Sequence, residues 1–119
     1  MPGLSVSPQG GFLMVEFDGI PILNALVAER TGHKLRELVE QGNGEAIVLD
    51  FSRVQLMTSG MIGEFMKLQR LCEEKGVKLL FFNLSKELLD VFKVCRLDKV
   101  LKIVTSHEAI AKELAKRKN

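Results

Sequence analysis

Ala46-Ile47-Val48-Leu49 is an unbroken apolar run between Gly42-Asn43-Gly44 and Asp50, and it constrains this chain more than any other feature. A strand with one wet face alternates apolar and polar side chains. A continuous run instead marks a strand covered on both faces, the usual state of a parallel strand flanked by helices. Val77 to Phe82 reads as a second strand of this kind.

Helical segments separate the strands. Asn24 opens a helix expected to reach about Gln41, with Ala28, Thr31, Leu35 and Leu38 on one stripe and the Gly42-Asn43-Gly44 run as terminator. Gly32 weakens its first half. Thr58 or Ser59 caps a second helix reaching Lys75 and closed by Gly76, in which Met61, Phe65, Leu68 and Cys72 form the core stripe. Ser85 caps a third helix ending near Val94. A last helix starts at Thr105-Ser106-His107-Glu108, where Thr105 and Glu108 fit a capping box.

Ahead of these segments, Leu4 to Ser7 and Phe12 to Phe17 read as strands joined by the Pro8-Gln9-Gly10-Gly11 turn, and Asp18-Gly19 stops the second. Ile20-Pro21-Ile22-Leu23 reads as extended, Phe51 to Met57 as a partly buried loop, and Val100 to Val104 as a short final strand. The expected fold is therefore a single α/β domain over residues 1–119. Its sheet is mixed but largely parallel, with about five strands packed against about four helices.

Composition narrows the function. A net charge of +2 gives no basis for nucleic-acid binding, and the basic cluster of Lys112, Lys116, Arg117 and Lys118 reads as a solvated helix end. No apolar run approaches the roughly 18 residues of a membrane span, and no basic segment leads into an apolar stretch at the N-terminus. Cys72 and Cys95 read as core thiols of a reducing cytoplasm, and His33 and His107 as surface residues. No metal-ligand spacing, phosphate-binding glycine loop or nucleophile elbow is present, so neither a cofactor nor a catalytic set is expected. Asp50 and Asp98 read as cap or turn residues.

The segment Ile47-Val48-Leu49-Asp50-Phe51-Ser52-Arg53-Val54-Gln55-Leu56-Met57-Thr58-Ser59-Gly60 takes a buried strand through a short loop to two hydroxyl residues and a glycine that open a helix. By itself this is a helix cap. A phosphate there would place about −1.5 to −2 charges at the positive end of the helix dipole, tolerated locally but repulsive to a partner.

This segment resembles the STAS (anti-sigma factor antagonist) pattern of a buried strand ending in aspartate, a loop, and D-S-[ST]-G at a helix start. Gly76-Val77-Lys78-Leu79, Asn83-Leu84-Ser85-Lys86-Glu87-Leu88, Arg96-Leu97-Asp98-Lys99-Val100 and Ser106-His107-Glu108-Ala109-Ile110 resemble later family motifs in the same order. Phe17-Asp18-Gly19 resembles the family's glycine turn. The likeness is good from Glu45 onward.

The resemblance implies regulation by reversible contact with an anti-sigma factor or a serine/threonine switch kinase. It makes Thr58 the phosphate acceptor, with Ser59 beside it. Met57 stands where the family aspartate precedes the acceptor, and Ile22 near another position that is often acidic, so an unphosphorylated, constitutive binder is a second expectation. A stand-alone STAS subunit docking on the ATPase of a lipid-transport ABC system is the alternative to the anti-sigma pathway. The expected contact residues are Met57, Thr58, Ser59, Gly60, Ile62 and Met66. The last two lie roughly 90 to 130° from the core stripe of the second helix.

Overall fold

The computed structural model describes residues 3–19, 22–42 and 45–116. In chain order it forms β1 (Gly3–Pro8), β2 (Phe12–Asp18), β3 (Ile22–Leu23), α1 (Ala25–Gln41), β4 (Ala46–Asp50), β5 (Leu56–Met57) and α2 (Ser59–Lys75). These are followed by β6 (Leu79–Phe82), α3 (Lys86–Val94), a 3-10 turn (Leu97–Lys99), β7 (Lys102–Val104) and α4 (His107–Ala115).

Five strands build the main sheet in the order β1-β2-β4-β6-β7, antiparallel only between β1 and β2. Register puts Val15 beside Leu49, Leu49 beside Phe81 and Phe81 beside Ile103. Strand side chains alternate between faces, so this row belongs to one core, with Ala28, Leu35 and Val39 of α1, Met61, Phe65, Leu68 and Cys72 of α2, and Leu88 and Phe92 of α3. The adjacent row, Met14, Val48 and Leu80, faces the other way and meets Ile110 of α4. Three helices on one face and one on the other explain why β4 from Ala46 to Leu49 and the whole of β6 are apolar.

Several expectations shift in detail. Val39, not Leu38, completes the buried stripe of α1; Leu38 is half-buried beside Leu4. The final strand starts at Lys102, two residues late, because Leu97–Lys99 winds into the 3-10 turn. The expected loop before α2 contains β5, which pairs in parallel with β3. Ser106 rather than Thr105 caps α4, its Oγ accepting from the Ala109 N–H at 3.0 Å; with Ala109 at the third helical position, no side chain returns the bond and the expected capping box does not form. Cys72 is buried as expected, whereas Cys95 is exposed beyond the end of α3. His33 and His107 are exposed. Ile20, Pro21, Asn43, Gly44, Arg117 and Lys118 lie outside the described residues. No helix among the described residues is long and apolar enough to cross a membrane.

Candidate functional site

Parallel topology puts the carboxyl ends of β2, β4, β6 and β7 at one edge of the sheet, where the four helices begin. Ligand and partner sites of open α/β sheets favour this edge. Here α1 and α2 start side by side because the strands that feed them are paired: Ile22 lies beside Leu56 and Leu23 beside Met57. The Thr58 N–H continues that ladder to the Leu23 carbonyl at 2.9 Å.

The two helix starts differ chemically. Asn24 caps α1, its Oδ1 accepting from the backbone N–H of Leu26 at 3.0 Å and of Val27 at 3.4 Å. Thr58 occupies the corresponding place in α2 with extended backbone, yet its side chain makes no cap bond. Its hydroxyl donates instead to the Leu23 carbonyl at 3.3 Å and is half-buried. The expectation that a Thr58 hydroxyl bond caps the helix is corrected: the β3–β5 pairing draws the hydroxyl toward Leu23. The first turn of α2 contains no acidic residue, so the positive end of its dipole is not offset there.

Ser59 and Gly60 are exposed, in the first turn of α2. A β-carbon on Gly60 would sit at ordinary contact distance, 3.5 Å, from the Ala25 Cα, so the two helices approach closely at their starts. Ile62 and Met66 are half-buried at the margin of the larger core. Met57 is buried within that core, so its side chain backs the surface and does not line it.

Two residues escaped the sequence reading. Leu26, in the first turn of α1, is 85% exposed, and Leu56, in β5, is 52% exposed. Leu26 follows the cap residue Asn24 by two positions and Leu56 precedes the cap residue Thr58 by two, and the β3–β5 pairing joins the segments that carry these caps. A polar cluster lies at the carboxyl ends of β2, β4 and β6. Asp50 Oδ1 accepts from the Ser52 N–H at 2.9 Å and from Asn83 Nδ2 at 3.1 Å, which gives Asp50 the turn role expected of it. Arg53 pairs with Asp18 at 3.1 Å. Among the described residues no group of three or more His, Cys, Asp or Glu side chains is placed to hold a metal ion.

Solved structures share this fold at low identity. An anti-sigma-factor antagonist (STAS) domain protein from Planctomyces limnophilus superposes with a TM-score of 0.82 at 14% identity, covering 97% of this chain and 99% of its own. The Bacillus cell fate determinant SpoIIAA, in its phosphorylated form, gives 0.66 at 20% identity, covering 93% and 99%. The murine anion transporter Slc26a9 gives 0.67 at 15% identity, with 98% of this chain matched to 23% of the transporter. Comparison with curated proteins found no match. The family model described as "Mlab, STAS domain" matches residues 22–105, and the chain belongs to that STAS family.

Proposed function

We propose that this chain is a regulatory protein-binding domain, not a catalyst, which engages a cytoplasmic partner through the paired starts of α1 and α2. The carrying observation is the exposure of apolar side chains on the segments that open the two helices: Leu26 in the first turn of α1 and Leu56 in β5, with Ser59 and Gly60 exposed in the first turn of α2 and Ile62 and Met66 half-buried. Apolar side chains exposed at helix starts suit a protein contact better than a small-molecule site.

In this reading the partner is an anti-sigma factor or serine/threonine switch kinase, and Thr58 is the phosphate acceptor. The uncapped, acid-free start of α2 tolerates the added charge, while the apolar contact surface around it does not. Similarity to SpoIIAA, solved in a phosphorylated form, supports the acceptor assignment. The test is incubation with a serine/threonine switch kinase from the same organism, followed by mass spectrometry. Phosphate on Thr58 with loss of partner binding is expected; modification of Ser59 alone, or of neither residue, overturns the acceptor assignment.

A second reading replaces the partner with the ATPase of a lipid-transport ABC system. Met57 favours it, because the family's carboxylate is then missing ahead of Thr58. Similarity to a domain within an anion transporter also supports it. Stable co-purification with a neighbouring transporter ATPase, lost in Leu26→Lys, decides for this partner; no complex decides against it.

A further inference from the structure

The opposite edge of the sheet carries a second surface. Helix α3 runs from the Thr58 edge to the far edge, where Lys93, Val94, Cys95 and Arg96 end it and the 3-10 turn leads into β7. Val94 is 82% exposed and Val100 48%. Exposed Cys95 follows Val94 in the chain, and Lys93, Arg96 and Lys99 are exposed in the same eight-residue segment. None of these three cations is held in an ion pair by the described residues. Asp98 is the one acidic residue from 93 to 100.

This corner is anchored to the core. Leu97 and Leu101 are buried in the larger core, and the Leu97 carbonyl accepts from the N–H groups of Val100 at 3.0 Å and Leu101 at 2.7 Å. The outward side chains are thus displayed on a fixed backbone, which lowers the ordering cost of binding. Arg96 has φ of 58°, a left-handed conformation that suits glycine and is costly for a residue bearing a β-carbon. A charged side chain kept at a position where glycine would fit better points to a role outside folding.

We propose that the α3–β7 corner is a docking surface for an acidic segment, with apolar side chains, of a partner protein. Valines set among unpaired cations complement such a segment in both charge and apolarity. A nucleic acid would want stacking side chains, and no aromatic residue lies between 93 and 100. A membrane surface would want a denser polybasic cluster with larger apolar anchors. Lying at the far end of α3, the corner leaves the starts of α1 and α2 free, so the domain can hold two proteins at once.

The probe is a fluorescein-labelled synthetic peptide of alternating glutamate and leucine, compared by anisotropy with one carrying glutamine for glutamate. The glutamate peptide should bind at least about tenfold more tightly, and more weakly as salt is raised from about 50 to 200 mM. Its binding should drop in Val94→Asp and Arg96→Glu and persist in Lys34→Glu, and it should slow maleimide labelling of Cys95. Arg96→Gly should lose affinity while melting no lower than the wild type, which separates binding from folding. Equal binding of both peptides, loss in Lys34→Glu to the same degree, or equal competition by anionic phosphatidylglycerol vesicles overturns the proposal.

Discussion

The carboxylate of Glu64 fills the space over Gly32: a β-carbon on Gly32 would lie 1.9 Å from Glu64 Oε1 and 2.8 Å from its Cδ. Glu64 is held there by Arg36 Nη1 at 2.7 Å and Lys67 Nζ at 3.2 Å, so a charged side chain 8% exposed fastens α1 to α2. Gly32 is the gap in α1 that admits it.

This pairing predicts a change of sign. Alanine stabilises a helix interior by about 1 kcal/mol relative to glycine. In the wild type, Gly32→Ala must push Glu64 off Arg36 and Lys67; the partly buried, charge-assisted Arg36 bond contributes about 1.5–3 kcal/mol, and the bond to largely exposed Lys67 adds little. Net destabilisation of about 1 kcal/mol is expected. In a Glu64→Ala background the obstacle is gone, and Gly32→Ala should raise stability. Urea unfolding of the four proteins of this double-mutant cycle measures the coupling; equal effects in both backgrounds would refute the clamp.

Acid should loosen the same contact. Burial pushes the Glu64 carboxyl up, but the hydrogen bonds and charges of Arg36 and Lys67 outweigh burial and hold it below the ordinary carboxylate range. A carboxyl depressed in the folded state contributes stability above its unfolded pKa, about 4.3, and that contribution is lost as pH falls through the folded value. Between about pH 5 and pH 3 the wild type should therefore lose more stability than Glu64→Gln. The variant should retain some acid sensitivity through Glu113, which a hydrogen bond from Lys116 holds low against the effect of burial, with Lys102 assisting. Parallel pH–stability curves for wild type and Glu64→Gln would remove Glu64 from this account.

The sheet was legible in the sequence because apolar continuity at residues 46–49 and 79–82 reports burial on both faces, whatever the partners. The core stripe of α2 was legible for a similar reason, since Met61, Phe65, Leu68 and Cys72 follow the helical period. Glu64 was not, because a charged residue gives no periodic signal of burial and its partner Arg36 is 28 positions away. Nor was β5: two residues carry no alternation, and its pairing with β3 exists only in three dimensions. Leu26 and Leu56 were therefore missed, although they are the most exposed apolar side chains of the candidate surface.

Phe65 should be the costliest single truncation in α2. It is fully buried, with ring centroids 5.3 Å from Phe81, 5.6 Å from Phe51 and 6.4 Å from Phe17. Phe65→Ala should cost about 3–5 kcal/mol, from lost transfer energy and the cavity left among the other rings. Chemical denaturation reads this directly, and a loss below about 1 kcal/mol would contradict the packing.

Thr58 allows binding and folding to be separated. Its hydroxyl bond to Leu23 is long at 3.3 Å, and the backbone N–H to the same carbonyl remains in any variant. Thr58→Val keeps the β-branch and should cost no more than about 1 kcal/mol while abolishing phosphate incorporation by the switch kinase. Thr58→Glu places charge at the start of α2, where the dipole favours it by about 0.3–1 kcal/mol, so stability should hold while partner affinity falls. Phosphate incorporation into Thr58→Val equal to wild type would move the acceptor elsewhere.

The contact surface itself is best tested at Leu26 and Leu56. Helical phase sets Ile62 and Met66 off the core stripe, yet both side chains are half-buried against the larger core, which bears on Ile62→Lys and Met66→Lys. A lysine there must lift its charge out of partly apolar surroundings, so these two variants should lower the melting temperature as well as binding. Leu26 and Leu56 already face solvent, and substitutions at such positions fall within about 0.5 kcal/mol. Leu26→Lys and Leu56→Lys should therefore melt as the wild type does and still lose partner affinity, by about 1 kcal/mol or more for each apolar contact removed. Calorimetric titration against the verified partner, beside thermal melts of the same preparations, separates the outcomes: unchanged affinity in both leucine variants would place the contact away from the paired helix starts.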